Sequence, residues 1–242
     1  MDLMSKYRFI EKPKVLLLYS NMVGEQVKLH LLEMNERLIG DFKPDILDDE
    51  QLLKYVQINR PDLIITCYWP YLLSKDIFSI PRYGCINFHP SLLPRNRGWY
   101  PAVWSVLEGD KHDTGVTLHL VDEKADTGFI LAQERFRVKE EDTGGTVYGR
   151  SQLQMIELFK KTWKDLCNGG VDLVRQDNRK ATYHKKKESH ELDEIDINKK
   201  YKADDLLKLL RAKTFKDKSY TYYRKNGKKY FVSIKITEEN GL

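Results

Sequence analysis

Apolar residues along this chain fall into short blocks, and the spacing within the blocks changes from one to the next. Residues 15–19 (Val-Leu-Leu-Leu-Tyr) and 63–67 (Leu-Ile-Ile-Thr-Cys) are compact, mostly apolar runs. Five residues suit a strand covered on both faces and fall far short of the roughly 18 needed to span a membrane. Helix-like spacing occupies residues 24–37 and 50–57, and this alternation predicts parallel strands joined by crossover helices. Residues 83–88 predict a further strand ending at Pro90, and residues 94–98 a loop, because Pro, Asn and Gly punctuate it. Helical spacing returns over 100–107, where Pro101 fits a first helical turn.

Two more strands are predicted at 116–121 and 129–138, joined by an acidic loop at 122–128. Residues 145–167 form the longest predicted helix, with Val147, Leu153, Ile156, Leu158, Phe159 and Trp163 on its apolar face and a stop at Gly169-Gly170. Beyond Val174 the chain turns polar and lysine-rich, before a short helix at 203–210. Residues 220–225 and 228–234 flank Asn226-Gly227, the pair that best favours a tight antiparallel hairpin. The expected architecture is therefore α/β: a Rossmann-like, mostly parallel sheet in residues 1–178, then a connector, short helix and β-hairpin in 179–242.

A length of 242 residues with 41% hydrophobic and 32% charged residues describes a folded chain with one medium domain and a small appendage. The start of the chain carries no apolar leader, which leads us to expect a cytoplasmic protein without membrane attachment. Cys67, Cys85 and Cys167 are odd in number and form no Cys-x-x-Cys pair, so neither a disulfide framework nor a metal site is expected, and two of them should pack in strands. The net charge of +5 has a late contribution from Arg179-Lys180 and Lys185-Lys186-Lys187. Those cations can form a solvated face or attract a phosphorylated substrate.

Candidate chemistry changes the picture most. Asn87 and His89 stand two apart at a predicted strand end, so their side chains share one face. In open α/β sheets the carboxyl ends of the strands border the ligand crevice. Asp126, in the acidic loop, can supply a carboxylate that orients an imidazole and favours its protonated form. Taken singly, Asn87 would be a turn residue, His89 a surface histidine and Asp126 an Asx-turn residue. Together they make a set for acyl transfer that needs no nucleophilic Ser or Cys.

The string Asn87-Phe88-His89-Pro90-Ser91-Leu92-Leu93-Pro94 with Gly98, followed by Gly115-Val116-Thr117, His119, Asp126-Thr127-Gly128 and Ile130, resembles the N10-formyltetrahydrofolate-dependent formyltransferases. The resemblance covers residues 60–165 and implies that Asn87, His89 and Asp126 form the active site, with N10-formyltetrahydrofolate as co-substrate. It implies attack by an unprotonated amine on the formyl carbon, with Asn87 and protonated His89 stabilising the oxyanion. Tyr71, Leu72, Leu73 and Asp122 are the expected folate contacts.

The tRNA branch of that family has a longer C-terminal domain, and the purine-ribonucleotide branch has a glycine-rich loop where this chain reads Ser20-Asn21-Met22-Val23-Gly24. Arg97-Gly98-Trp99-Tyr100-Pro101 with Val103-Trp104, and residues 210–215, resemble the nucleotide-sugar branch instead. The acceptor expected from this is dTDP-4-amino-4,6-dideoxyglucose, with the 3-amino isomer and a UDP-amino sugar as alternatives, for a surface polysaccharide such as lipopolysaccharide O-antigen. Arg97, Trp99, Tyr100, Tyr220 and Tyr222 are the expected substrate contacts, although alternating tyrosines also suit the packed face of a hairpin. A formyltetrahydrofolate hydrolase and a basic RNA-binding module remain the competing readings. A homodimer is expected, with no nucleic-acid partner.

Overall fold

The computed structural model describes residues 6–109, 114–216 and 218–239. Its first part alternates strand and helix: β1 (Lys14–Tyr19), α1 (Met22–Glu33), β2 (Arg37–Phe42), α2 (Asp49–Asn59), β3 (Leu63–Cys67), α3 (Lys75–Phe78) and β4 (Cys85–His89). Next come β5 (Arg97–Gly98), α4 (Pro101–Glu108), β6 (Thr114–Leu120), β7 (Ile130–Phe136) and the long α5 (Gly144–Asn168). The last part holds β8 (Tyr183–His184), α6 (Lys186–Glu191), β9 (Glu194–Ile195), α7 (Ala203–Lys213), β10 (Thr214–Phe215), β11 (Lys218–Ser219), β12 (Tyr222–Lys225) and β13 (Lys228–Phe231).

Two units result, interleaved along the chain. The first comprises residues 1–89, 116–134 and 152–179, and the second the segments 90–115, 135–151 and 180–242. The principal sheet has six strands in the order β2-β1-β3-β4-β6-β7. β1 through β4 are parallel, and β6 lies antiparallel to β4. The fold is thus α/β with a mostly parallel central sheet.

In the first unit the central strands bury both faces, which is why they read as unbroken apolar runs. Val15, Leu17, Leu63, Ile65, Ile86 and Phe88 pack with Val23, Val27 and Leu31 of α1 and with Met155, Phe159 and Trp163 of α5. The opposite face sets Leu16, Leu18, Ile64 and Cys85 against Leu52 and Val56 of α2 and Ile77 of α3. Burying each such Leu, Ile or Val contributes about 1.5–3 kcal/mol.

α1 begins where the Asn21 side chain accepts the Val23 N–H at 3.0 Å. It ends earlier than the expected limit of residue 37. Asn35 turns left-handed (φ 52°), and Arg37 opens β2, a strand absent from the sequence reading. β2 lies at the sheet edge and is half-exposed along its length, so it lacks the apolar run that marks its neighbours. α5 extends one residue beyond the expected limits at each end and stops before Gly170, whose N–H bonds the Asp165 carbonyl at 2.7 Å.

In the second unit a smaller core joins Ala102, Val103 and Val106 of α4 to Val138, Val147 and Ala212. Arg211, almost fully buried, donates to the carbonyls of Asp142 (2.9 Å) and Lys139 (2.6 Å) and to Glu140 (2.6 Å). The expected hairpin is present as β12 and β13, antiparallel, with β9 parallel to β12. Asn226 (φ 51°) and Gly227 (φ 73°) both take positive φ, as the tight turn between such strands demands.

Candidate active site

The sheet register assembles the site. Thr66 of β3 pairs with Asn87 of β4, and Asn87 pairs in turn with His119 of β6. Because these three sit in one row across the strands, their side chains are neighbours on one face. The Thr66 hydroxyl donates to Asn87 Oδ1 at 2.8 Å, which turns the amide NH₂ away from β3. On the other side Asn87 Nδ2 lies 3.0 Å from His119 Nε2.

His119 Nδ1 is 2.8 Å from the Leu120 carbonyl, which can only accept, so Nδ1 carries the proton and Nε2 of the neutral ring accepts from Asn87. Both neighbours therefore enforce the same amide orientation on Asn87. His89, two residues on and also buried, completes the β4 contribution.

Asp126 enters from the loop after β6. Its Oδ1 lies 3.4 Å from His89 Nδ1, 3.4 Å from Asn87 Nδ2 and 3.5 Å from His119 Nε2. One carboxylate oxygen thus faces three nitrogens at distances long for hydrogen bonds, a looseness usual in sites that tighten on their reactants. The set expected from the sequence, Asn87, His89 and Asp126, is brought together. His119 and Thr66 join it and had not been singled out as site residues. A histidine flanked by leucines in β6 was the available signal, but its partner Asn87 becomes apparent only from the β4–β6 register.

The loop that carries Asp126 is tightly built. Asp126 is left-handed (φ 57°), and Gly128 runs so close to β6 that a Cβ there would sit 1.8 Å from the Leu120 carbonyl oxygen. Asp122 accepts from the Lys124 N–H at 3.2 Å and from the Thr127 hydroxyl, so its carboxylate shapes the loop. The Gln176 amide donates to the carbonyls of Asp126 (2.9 Å) and Gly128 (2.7 Å).

Neither thiol in the central strands can act as a nucleophile here. Burial drives the Cys67 thiol well above its ordinary range and pushes Cys85 up to about 12, so both stay protonated near pH 7.

The expected folate contacts occupy loops at strand ends. After β3, Tyr71 and Leu72 are exposed (47% and 78%), and Leu73 packs against Ile77 and its neighbours. The Tyr71 hydroxyl bonds Asp45, and Lys75 pairs with Glu123 of the Asp122 loop.

The expected substrate contacts lie in the second unit. Arg97 is buried in β5, where its N–H bonds the Thr182 carbonyl at 3.0 Å. Trp99 is partly exposed with Lys186 Nζ 4.9 Å from its ring centre. Tyr100 starts α4 in a left-handed conformation, and burial followed by nearby Tyr220 and Asp193 raises its phenol above the ordinary value. Tyr220 is 52% exposed. Tyr222 is more engaged: its hydroxyl donates to Glu194 at 2.9 Å, and Lys229 Nζ lies 4.2 Å from its ring centre. Among the described residues, no group of three or more His, Cys, Asp or Glu could hold a metal ion, and no helix is long and apolar enough to cross a membrane.

Comparison with known proteins identifies the family. Residues 12–162 match the family described as Formyl transferase, and residues 188–238 match the N-formyltransferase dimerization C-terminal domain. A methionyl-tRNA formyltransferase of Agathobacter rectalis is 35% identical over 198 residues, covering 81% of this chain. The matched region spans only 62% of that relative's length.

Among solved structures, a 4-N formyltransferase of Francisella tularensis has a TM-score of 0.80 at 24% identity, over 93% of this chain and 98% of the other, which is a likeness of fold. The formyltransferase PseJ of Anoxybacillus kamchatkensis, solved with UDP-4,6-dideoxy-4-formamido-L-AltNAc and tetrahydrofolate, has a TM-score of 0.61 at 28% identity, over 73% of this chain and 88% of the other. The family profile covers more than half of the chain, including the row that sets Asn87 between Thr66 and His119, and the chain belongs to the formyl transferase family.

Proposed function

We propose that this protein transfers the formyl group of N10-formyltetrahydrofolate to the amine of a nucleotide-linked amino-dideoxy sugar. The observation that carries the reading is the convergence of Asn87 and His89 on one oxygen of Asp126, with His119 fixing the Asn87 amide from the other side. When an amine adds to a formyl carbon, the formyl oxygen gains negative charge. Asn87 has its amide held with NH₂ towards the site, and it would donate to that oxygen together with protonated His89. Asp126 would orient His89 and move the proton from the attacking amine towards the leaving nitrogen. The exposed Tyr71 and Leu72 suit the flat ring of a folate, beside the Asp122 loop.

The sugar acceptor is supported by PseJ, which was solved with a formamido sugar nucleotide, and by aromatic and cationic side chains at Trp99, Lys186, Tyr100 and Tyr220. Within that class we put forward dTDP-4-amino-4,6-dideoxyglucose, ahead of the 3-amino isomer and a UDP-amino sugar. Catalytic work belongs to residues 1–178. The tail, 179–242, matches a dimerization domain over 188–238 and supports a homodimer. The setting proposed is the cytoplasm, in synthesis of a surface polysaccharide.

Methionyl-tRNA is a second reading, favoured by the 35% identity to an enzyme of that name. One assay separates the readings: tetrahydrofolate release from N10-formyltetrahydrofolate with a panel of dTDP- and UDP-amino sugars, with methionyl-tRNA, and with no acceptor. Release dependent on an amino sugar is expected. Release only with methionyl-tRNA would replace the sugar reading, and equally fast release without acceptor would make the protein a hydrolase.

A further inference from the structure

On the basis of formyl transfer as the reaction, we propose that Gln176 is a positioning residue whose side-chain amide clamps the acid loop and holds Asp126 against Asn87, His89 and His119. The loop needs such a device. Asp126 is a non-glycine residue in left-handed conformation (φ 57°), a backbone state that favours glycine. Three nitrogens face its Oδ1 at 3.4–3.5 Å, so small movements of the loop change the geometry at His89.

Gln176 is distant in sequence and close in space. The segment that bears it is anchored where Val174 and Ile130 exchange two backbone hydrogen bonds of 2.9 Å, at the start of β7. Two residues further on, the buried Gln176 side chain meets the loop. An amide NH₂ has two protons, and here two carbonyls, those of Asp126 and Gly128, receive bonds of 2.9 and 2.7 Å. The bonds bracket Thr127, and Gly128 is already wedged against the Leu120 carbonyl. Asp126 is thus held through its own backbone carbonyl, at a point separate from the carboxylate that faces His89. Two hydrogen bonds, one buried and one partly buried, thus tie the left-handed turn to the segment after α5.

Gln176→Met removes both donors at similar length, and Gln176→Glu replaces them with an acceptor facing two carbonyls. With the acceptor that supports turnover in the wild type, Gln176→Met should lower kcat about 10²-fold while both KM values stay within about twofold, because misplacement of a catalytic group costs rate more than binding. If Gln176 acts through Asp126, the same change made on an Asp126→Asn background should cost less than about twofold. Full kcat in Gln176→Met, or equal losses on both backgrounds, would overturn the clamp.

Hydrogen exchange tests it without any acceptor. In the wild type both Gln176 side-chain amide protons should exchange slowly, and backbone amides over 124–129 should exchange faster in either variant. Rapid exchange of the wild-type side-chain protons overturns the clamp even if neither variant folds. A wild type inert towards every acceptor would count against the proposed reaction, and the exchange result would still decide the role of Gln176.

Discussion

β4 and the β12–β13 hairpin hold polar side chains in opposite ways. β4 is paired along both edges, to β3 and to β6, and its Asn87 and His89 are placed by backbone register. The hairpin is paired to β9 over two residues, β13 is exposed throughout, and its side chains are placed by one another. Tyr223 stacks on Tyr230 at 5.2 Å, Lys229 sits by Tyr222, and Arg224 pairs with Glu194 at 3.2 Å. The lesson is about rigidity. A group fixed by two ladders can be pre-set for chemistry, while a group fixed by exposed neighbours adapts to a partner and contributes binding.

The largest effect should come from the rigid side of this comparison. His89→Asn is expected to lower kcat about 10³-fold, as loss of a proton-transferring and oxyanion-stabilising group does, with KM and melting temperature little changed. Activity near wild type would remove His89 from the chemistry.

Next is Gly128→Ala, where the new Cβ meets a backbone oxygen rather than a side chain. We expect a loss of about 1–3 kcal/mol in a urea titration together with slower turnover, because strain enters the loop that carries Asp126. An unchanged midpoint would mean that the loop yields freely.

On the adaptable side, Tyr220→Ala should raise the KM for the nucleotide sugar about tenfold, the scale of one lost aromatic contact, while kcat holds. Tyr222→Ala should change it less than about threefold, since that ring is already engaged by Lys229 and Glu194. A larger effect at Tyr222 than at Tyr220 would reverse the assignment.

The smallest effect expected is a pH dependence of stability in the second unit. Burial alone would raise the Asp142 carboxyl, but the Lys139 N–H, Arg150 and Thr146 outweigh it and hold the group below the usual carboxylate range. With its folded value depressed, Asp142 contributes stability above its unfolded value of about 3.9, and that contribution is lost as pH falls through 3.9 towards the folded value. The difference in urea midpoint between wild type and Asp142→Asn should therefore shrink below about pH 4. A constant difference would show that the ion pair with Arg150 adds nothing that titrates.

Much of the fold was legible because the buried strands and long helices announce themselves by period. β1 and most of β3 are apolar at the positions their burial requires, and the hairpin is marked by Asn226-Gly227; on α5 the expected face is only partly right, since Leu153 is exposed while Ser151 and Thr162 are buried. β2 was not legible, since an edge strand with half-exposed residues has neither an apolar run nor clean alternation. The site shows the same division. Asn87 and His89 could be paired from sequence because two residues along a strand restore the same face. His119 could not be added, because its place beside Asn87 depends on antiparallel pairing between strands far apart in the chain. Gln176 was still less accessible, since a single amide in a polar connector has no pattern to distinguish it.

The β4–β6 register has a consequence for quality control during folding. If β6 paired with β4 one residue out of step, Leu118 or Leu120 would take the place of His119 beside Asn87, and every side chain of the strand would change faces. Such a product could keep its helices and much of its sheet while lacking the imidazole that sets Asn87. If the proposed transfer is the reaction, turnover would act as a sensor of strand alignment, reporting a misthreaded molecule that spectroscopic measures of helix and sheet content would pass as native.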